Sequence, residues 1–137
     1  MKESILILGA FEPKGNEVEY IKGRIEEKGH KTIIIDSGSP LDEVEKIVNG
    51  LHSSEKLEGI LSLGGPTGTE MGIKVMKNLP IGLPKLVVTT VRDACYVGTS
   101  DIAMMPISEE AFGRKAELRR ILSNAAGAIV GMVEAET

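Results

Sequence analysis

At 137 residues the chain is long enough to bury one core and short enough to need only one. A formal net charge of −4 and 3% aromatic residues argue against a nucleic-acid groove, which needs clustered positive charge and stacking rings. No apolar run approaches a membrane span, and Ile5–Leu8 is too short for a signal peptide, so a cytoplasmic protein without membrane contact is predicted.

In chain order, "SILILG" at 4–9 is an unbroken apolar run with the character of a buried strand. Asn16 is placed to cap a helix whose Val18, Tyr20, Ile21 and Ile25 share one face, and Lys28-Gly29 ends it. "KTIIID" predicts a second strand closing on Asp36. Ser39 and Pro40 read as the cap and first residue of a helix with Leu41, Val44, Ile47, Val48 and Leu51 facing inward. "EGILSLGG" is a third strand, followed by a helix from about Thr69 to Asn78. "LPIGLPKLVVTTV" supplies a turn and a fourth strand, and "DIAMMPI" a fifth. Ser108 is placed to cap a further helix, with Ile107 and Phe112 as a hydrophobic staple. "ILSNAAGAIVGMV" closes the chain as a helix lined with small residues.

Strands without polar alternation, separated by helices, predict one α/β domain over 1–137. Its mostly parallel sheet of about five strands is covered by helices on both faces, a Rossmann-like three-layer sandwich. Right-handed crossovers place the strands' C-terminal ends on one edge, where such sheets bind ligands. Four loops are predicted there: "GAFEPKGNE", "DSGSP", "LGGPTGT" and "TTVRDACYVGTSD".

The run Gly64-Gly65-Pro66-Thr67-Gly68-Thr69 has two readings. Glycines let backbone amides approach an anion, the helix start adds favourable partial charge, and Thr67 and Thr69 offer hydroxyls. Alternatively the glycines only turn the chain. The pattern is neither a P-loop nor a dinucleotide fingerprint, since the Lys-Ser/Thr ending and the G-x-G-x-x-G spacing are both missing. In the first loop Gly9 ends the strand, and Lys14, beside Gly15 at a helix start, opposes the helix dipole. That suits a phosphate or carboxylate ligand as well as a solvated surface lysine. Asp36 stands where dinucleotide folds place a ribose-binding acid, and it can equally cap its own loop. Gly98, Thr99, Ser100 and Asp101 offer hydroxyls around a glycine, with Asp101 able to accept a proton or hold a metal; turns favour these residue types too. Cys95, the lone cysteine, excludes an internal disulfide framework and lacks a histidine partner, so it reads as a bystander. Close His, Cys and carboxylate spacing is missing, and no structural metal is predicted. Gly127 and Gly131 read as close packing within the core or at a dimer contact.

Taken together, these segments resemble the N-terminal domain of the Tm-1-like ATP-binding family, also called UPF0261. That domain carries "GT-x-D-T-K-G-x-E" after its first strand, "GG-x-x-GT" after a later one, and "YVGTSDI-x-MM" before a helix ending "NAAGAI-x-GM". Here the corresponding stretches are "GAFEPKGNE", "GGPTGTEMG", "YVGTSDIAMM" and "LSNAAGAIVGMV". The resemblance implies ATP or another phosphate-bearing nucleotide, with or without magnesium. By position it carries over Lys14, Gly64, Gly65, Gly68, Thr69, Gly98, Thr99, Ser100 and Asp101. Three departures stand out. Glu12-Pro13 replaces the Asp-Thr before the lysine, the segment Ser37 to Glu58 is shorter than its counterpart, and the resemblance reaches only the N-terminal domain, with no counterpart in these 137 residues to the family's barrel-like second domain.

Three functions compete. The first is a stand-alone nucleotide-binding domain serving as a regulatory or partner-dependent subunit. The second is a small enzyme acting on a phosphorylated or acyl substrate, with Asp101 or Lys14 as acid or base. The third is an assembly module without ligand. The small-residue stretch Ala125, Ala126, Gly127, Ala128 and Gly131 predicts a homodimer, or else contact with a separate partner subunit.

Overall fold

A computed structural model describes residues 4–9, 15–91 and 100–135. Its elements run β1 (Ser4–Gly9), α1 (Gly15–Glu27), β2 (Lys31–Asp36), α2 (Leu41–Ser53), β3 (Leu57–Gly64), α3 (Pro66–Lys77), β4 (Lys85–Thr89) and β5 (Ala103–Pro106). A 3-10 turn (Glu109–Gly113) and α4 (Lys115–Glu134) complete the chain. The strands form one five-stranded sheet in the order β2-β1-β3-β4-β5, and every neighbouring pair is parallel.

Alternation along β1 divides the core into two layers. Ile5 and Ile7 join Leu61, Leu63, Leu86 and Val88 beneath α1 and α4. Leu6 and Leu8 join Ile60 and Val87 beneath α2 and α3. Both faces of the sheet are thus buried, which is why its strands carry no polar alternation. No helix among the described residues is long and apolar enough to cross a membrane.

Several element ends differ from the sequence reading. α3 begins at Pro66, three residues before Thr69, because proline's fixed φ and missing N–H suit a first helical position. Pro66-Thr67-Gly68 is therefore the helix's first turn rather than a loop. α2 begins one residue late: Pro40, extended at φ −60° and ψ 142°, holds the capping position, and its carbonyl accepts from the Val44 amide. Asn16 lies inside the first turn of α1. Ser108 does cap, its Oγ accepting from the Glu110 amide at 3.2 Å, but the element is the 3-10 turn. The side chain of Phe112, half of the expected staple, lies outside the described part of the structure. On α4, Ala125 and Ala126 are buried in the core, whereas Gly127 and Gly131 are exposed, and a methyl group on either would meet nothing within 4 Å. The small residues are therefore divided between the core and solvent and form no single face.

Candidate functional site

The strand order reverses between β1 and β3: the chain leaves β1 toward β2 on one side, and β3 leads toward β4 on the other. In open parallel sheets ligands bind in the crevice outside the strands' C-terminal ends at this point. Strand register brings Gly9, Asp36, Gly64 and Thr89 to that edge. The first turn of α3 rises directly from it.

Hydrogen bonding fixes where this turn sits. The Thr69 hydroxyl, fully buried, donates to the Gly64 carbonyl at 3.3 Å. Because that hydrogen is committed, the 2.6 Å contact between Thr69 Oγ1 and Thr89 Oγ1 must be donated by Thr89. Thr89 Oγ1 in turn accepts from the Val91 amide at 2.9 Å, so β3, β4 and α3 are locked together by one short chain of hydroxyls. Gly64 makes the approach possible. A Cβ there would lie 3.2 Å from the Gly68 Cα.

The same helix start leaves donors over. Thr69 N–H donates to the Gly65 carbonyl at 2.8 Å, as an ordinary helical bond, so it is not available to an anion. Pro66 has no N–H. The amides of Gly65, Thr67 and Gly68 precede the first intrahelical bond, and no side chain caps the helix at Gly65. Around them the space is open: a Cβ on Gly65 would meet only Thr90 Oγ1 at 3.6 Å, and one on Gly68 only Leu63 O and Ser37 Oγ, each at 3.7 Å. Three backbone donors, two nearby hydroxyls and a helix N-terminus suit an anion such as a phosphate. Sequence reasoning misses Ser37 and Thr90; the signals are the serine after Asp36 in "DSGSP" and the second threonine of "VVTT".

The other predicted residues divide. Gly9 is a packing glycine, since a Cβ there would approach Val18 Cγ2 to 2.7 Å. Gly15 opens α1. Asp36 caps its own turn, Oδ1 accepting from the Gly38 amide at 2.9 Å while its carbonyl accepts from Ser39. Lys14, Gly98 and Thr99 lie outside the described residues, as does Cys95.

Ser100 and Asp101 are placed at the opposite edge. Parallel pairing of β4 with β5 carries the connection from the C-terminal end of one strand to the N-terminal end of the next, so its last residues cannot stay beside the glycine turn. There Asp101 is a structural acid. Oδ2 accepts from the Gly82 amide at 2.8 Å and Oδ1 from Lys85 Nζ at 2.9 Å. The Gly82 hydrogen bond first, and then Lys85, hold its carboxyl below the usual carboxylate range. Lys85, only 1% exposed, also donates to the carbonyls of Pro80 at 2.7 Å and Leu83 at 3.1 Å, so its ammonium has three acceptors. The sequence signal for this lock is a lysine opening the otherwise apolar "KLVVT", which pattern reasoning misses. Among the described residues no three His, Cys, Asp or Glu side chains are grouped to hold a metal.

A parallel sheet in this order, with a glycine-rich helix start at its switch point, defines a doubly wound α/β domain of the flavodoxin-like kind. The chain belongs to the UPF0261 family: residues 41–137 match the family described as "Uncharacterised protein family (UPF0261) N-terminal domain". It is 32% identical to a UPF0261 protein of Clostridium tetani over 175 aligned positions, covering 98% of this chain and 43% of the relative. It is 33% identical to the ToMV susceptible protein tm-1(GCR26) of Solanum lycopersicum, covering 66% of this chain and 12% of that one. The chain thus spans less than half the length of either relative. Among solved structures it is similar in fold to a diflavin flavoprotein A3 from Nostoc sp. The TM-score is 0.51 at 12% identity, covering 94% of this chain and 96% of that one.

Proposed function

We propose that this domain binds a phosphate-bearing nucleotide, ATP first, and serves as a regulatory or partner-dependent subunit. The observation that carries the reading is the uncapped start of α3 at the sheet's switch point, pinned in place by the Thr69–Thr89 hydroxyl pair. The amides of Gly65, Thr67 and Gly68 would hold the phosphate, with Ser37 and Thr90 beside them. When bound, the nucleotide would supply the phosphate and its charge, and these residues the backbone amides and hydroxyls that face it. Among the described residues, Asp36, Thr69 and Asp101 each hold a structural hydrogen bond, which supports binding over turnover.

Thermal and chemical unfolding against ATP, GTP, NAD and sugar phosphates, with and without magnesium, tests the reading. A ligand at about 100 times its dissociation constant raises stability by roughly 2.7 kcal/mol. No shift with any member of the panel overturns the proposal.

A further inference from the structure

On the face of the sheet away from α3, the N-terminal turns of α1 and α4 enclose a groove of about 210 Å³. Its floor is Leu118 and Leu122, both buried. Tyr20 forms a wall, and its hydroxyl is tied to Ser123 Oγ at 3.0 Å, which holds the ring in position.

Polar groups lie at the rim, sorted by sign. Lys115 and Arg119 come from α4; Glu17, beside Asn16, comes from α1. No ion pair closes across the groove among the described residues, although Arg114, just before Lys115, is paired with Glu117 at 3.5 Å. Two like charges four residues apart repel, and a cation at the start of a helix opposes the helix dipole. Glu117 in the first turn of α4 pairs with Arg114, so among the described residues no ion pair offsets the repulsion between Lys115 and Arg119. An occupant carrying a negative group toward α4 and a positive group toward α1 removes that conflict.

We propose that this groove binds an α-amino acid with an apolar side chain. The carboxylate lies between Lys115 and Arg119, the ammonium faces Glu17, and the side chain covers Leu118, Leu122 and the Tyr20 ring. Size agrees. A cavity of about 150 Å³ admits benzene, so this groove accommodates a phenyl or branched aliphatic group with the charged head at the rim.

Titrating the whole chain with L-phenylalanine and L-leucine, followed by amide NMR shifts and calorimetry, tests the site. 3-Phenylpropionate, which lacks the ammonium, and phenylalaninamide, which lacks the carboxylate, are the counterparts. The amino acids should perturb the amides of Tyr20, Leu118 and Leu122, and each counterpart should bind at least about tenfold more weakly, as expected for losing one charged hydrogen bond. Arg119→Ala and Glu17→Gln should each weaken phenylalanine binding by a similar factor with the circular dichroism spectrum unchanged. Absence of shifts at millimolar amino acid, or shifts confined to residues elsewhere, overturns the site. 3-Phenylpropionate binding as tightly as phenylalanine, or Glu17→Gln without effect, overturns the amino-acid assignment.

Discussion

Gly68 and Gly72 occupy successive turns on the inner side of α3, yet they are glycine for different reasons. At Gly72 a methyl group would overlap Ser62 Oγ and stand 2.7 Å from Ser62 Cβ; at Gly68 it would meet only ordinary contacts at 3.7 Å. Gly72→Ala is therefore expected to cost about 1–3 kcal/mol through overpacking. Gly68→Ala should leave stability unchanged or raise it by up to about 1 kcal/mol, since alanine is the better helix former. Urea denaturation of the two variants checks this, and equal losses would contradict the packing argument. Ser62 sharpens it. Its buried Oγ has no hydrogen-bond partner among the described residues, so Ser62→Ala removes an unsatisfied hydroxyl and should not destabilise. Gly68 is free of packing duty, and this is what leaves room for an anion at the helix start.

At the scale of elements, strands are far more legible in the sequence than helix starts. "SILILG" and "KTIIID" mark β1 and β2 to the residue, because each is a short apolar run closed by a polar residue or glycine; β1 is buried from Ile5 onward, and β2, at the edge of the sheet, is half-buried. Helix starts depend on which backbone amides find acceptors, and Pro40 and Pro66 each displace the expected boundary. The candidate site is legible at Gly64–Gly68 for its composition. It is not legible at Asp101, whose edge is decided by the direction of β5 rather than by its neighbours in sequence. His30 reads in sequence as no more than a residue in a helix-end turn. Its Nε2 lies 2.8 Å from Glu134 Oε2 and its Nδ1 lies 3.2 Å from Glu58 Oε1, so it ties the last turn of α4 to the start of β3. The Glu134 hydrogen bond, and secondarily Glu58, raise its pKa against burial. A raised value means the protonated form is favoured by folding. The stabilisation is complete below the ordinary histidine value of about 6.5 and is lost as pH rises through the folded value. Exchange of the α4 amides near Gly131–Ala135, corrected for intrinsic base catalysis, should accelerate over that interval, and His30→Gln should remove the pH dependence. A His30 titration midpoint below 6.5 by NMR would contradict the clasp.

The molecule as a whole separates its two kinds of polar structure onto opposite edges of the sheet. The Lys85–Asp101 lock and the His30 clasp both lie where strands begin. The glycine turn of α3 lies where they end. Distant substitutions without shared partners act independently to within about 0.3–0.5 kcal/mol, so stability and ligand response should be separable by variant. Lys85→Met keeps the apolar stem, removes the ammonium, and leaves the Pro80 and Leu83 carbonyls without their donor. It should lower the stability of the ligand-free domain by about 1–3 kcal/mol. Its ligand-induced gain should stay at roughly 2.7 kcal/mol, at about 100 times the dissociation constant. Gly68→Val should do the reverse at the other edge, with the gain abolished because a β-branched side chain fills the space before the amides. Its effect on the ligand-free domain is read separately, so a loss there does not disguise the result. Each variant is unfolded with and without ATP, and the difference is the measurement. If Lys85→Met erased the ligand-induced gain while the domain remained folded, the two edges would be coupled, and the switch-point site would not be the independent unit its hydrogen bonds describe.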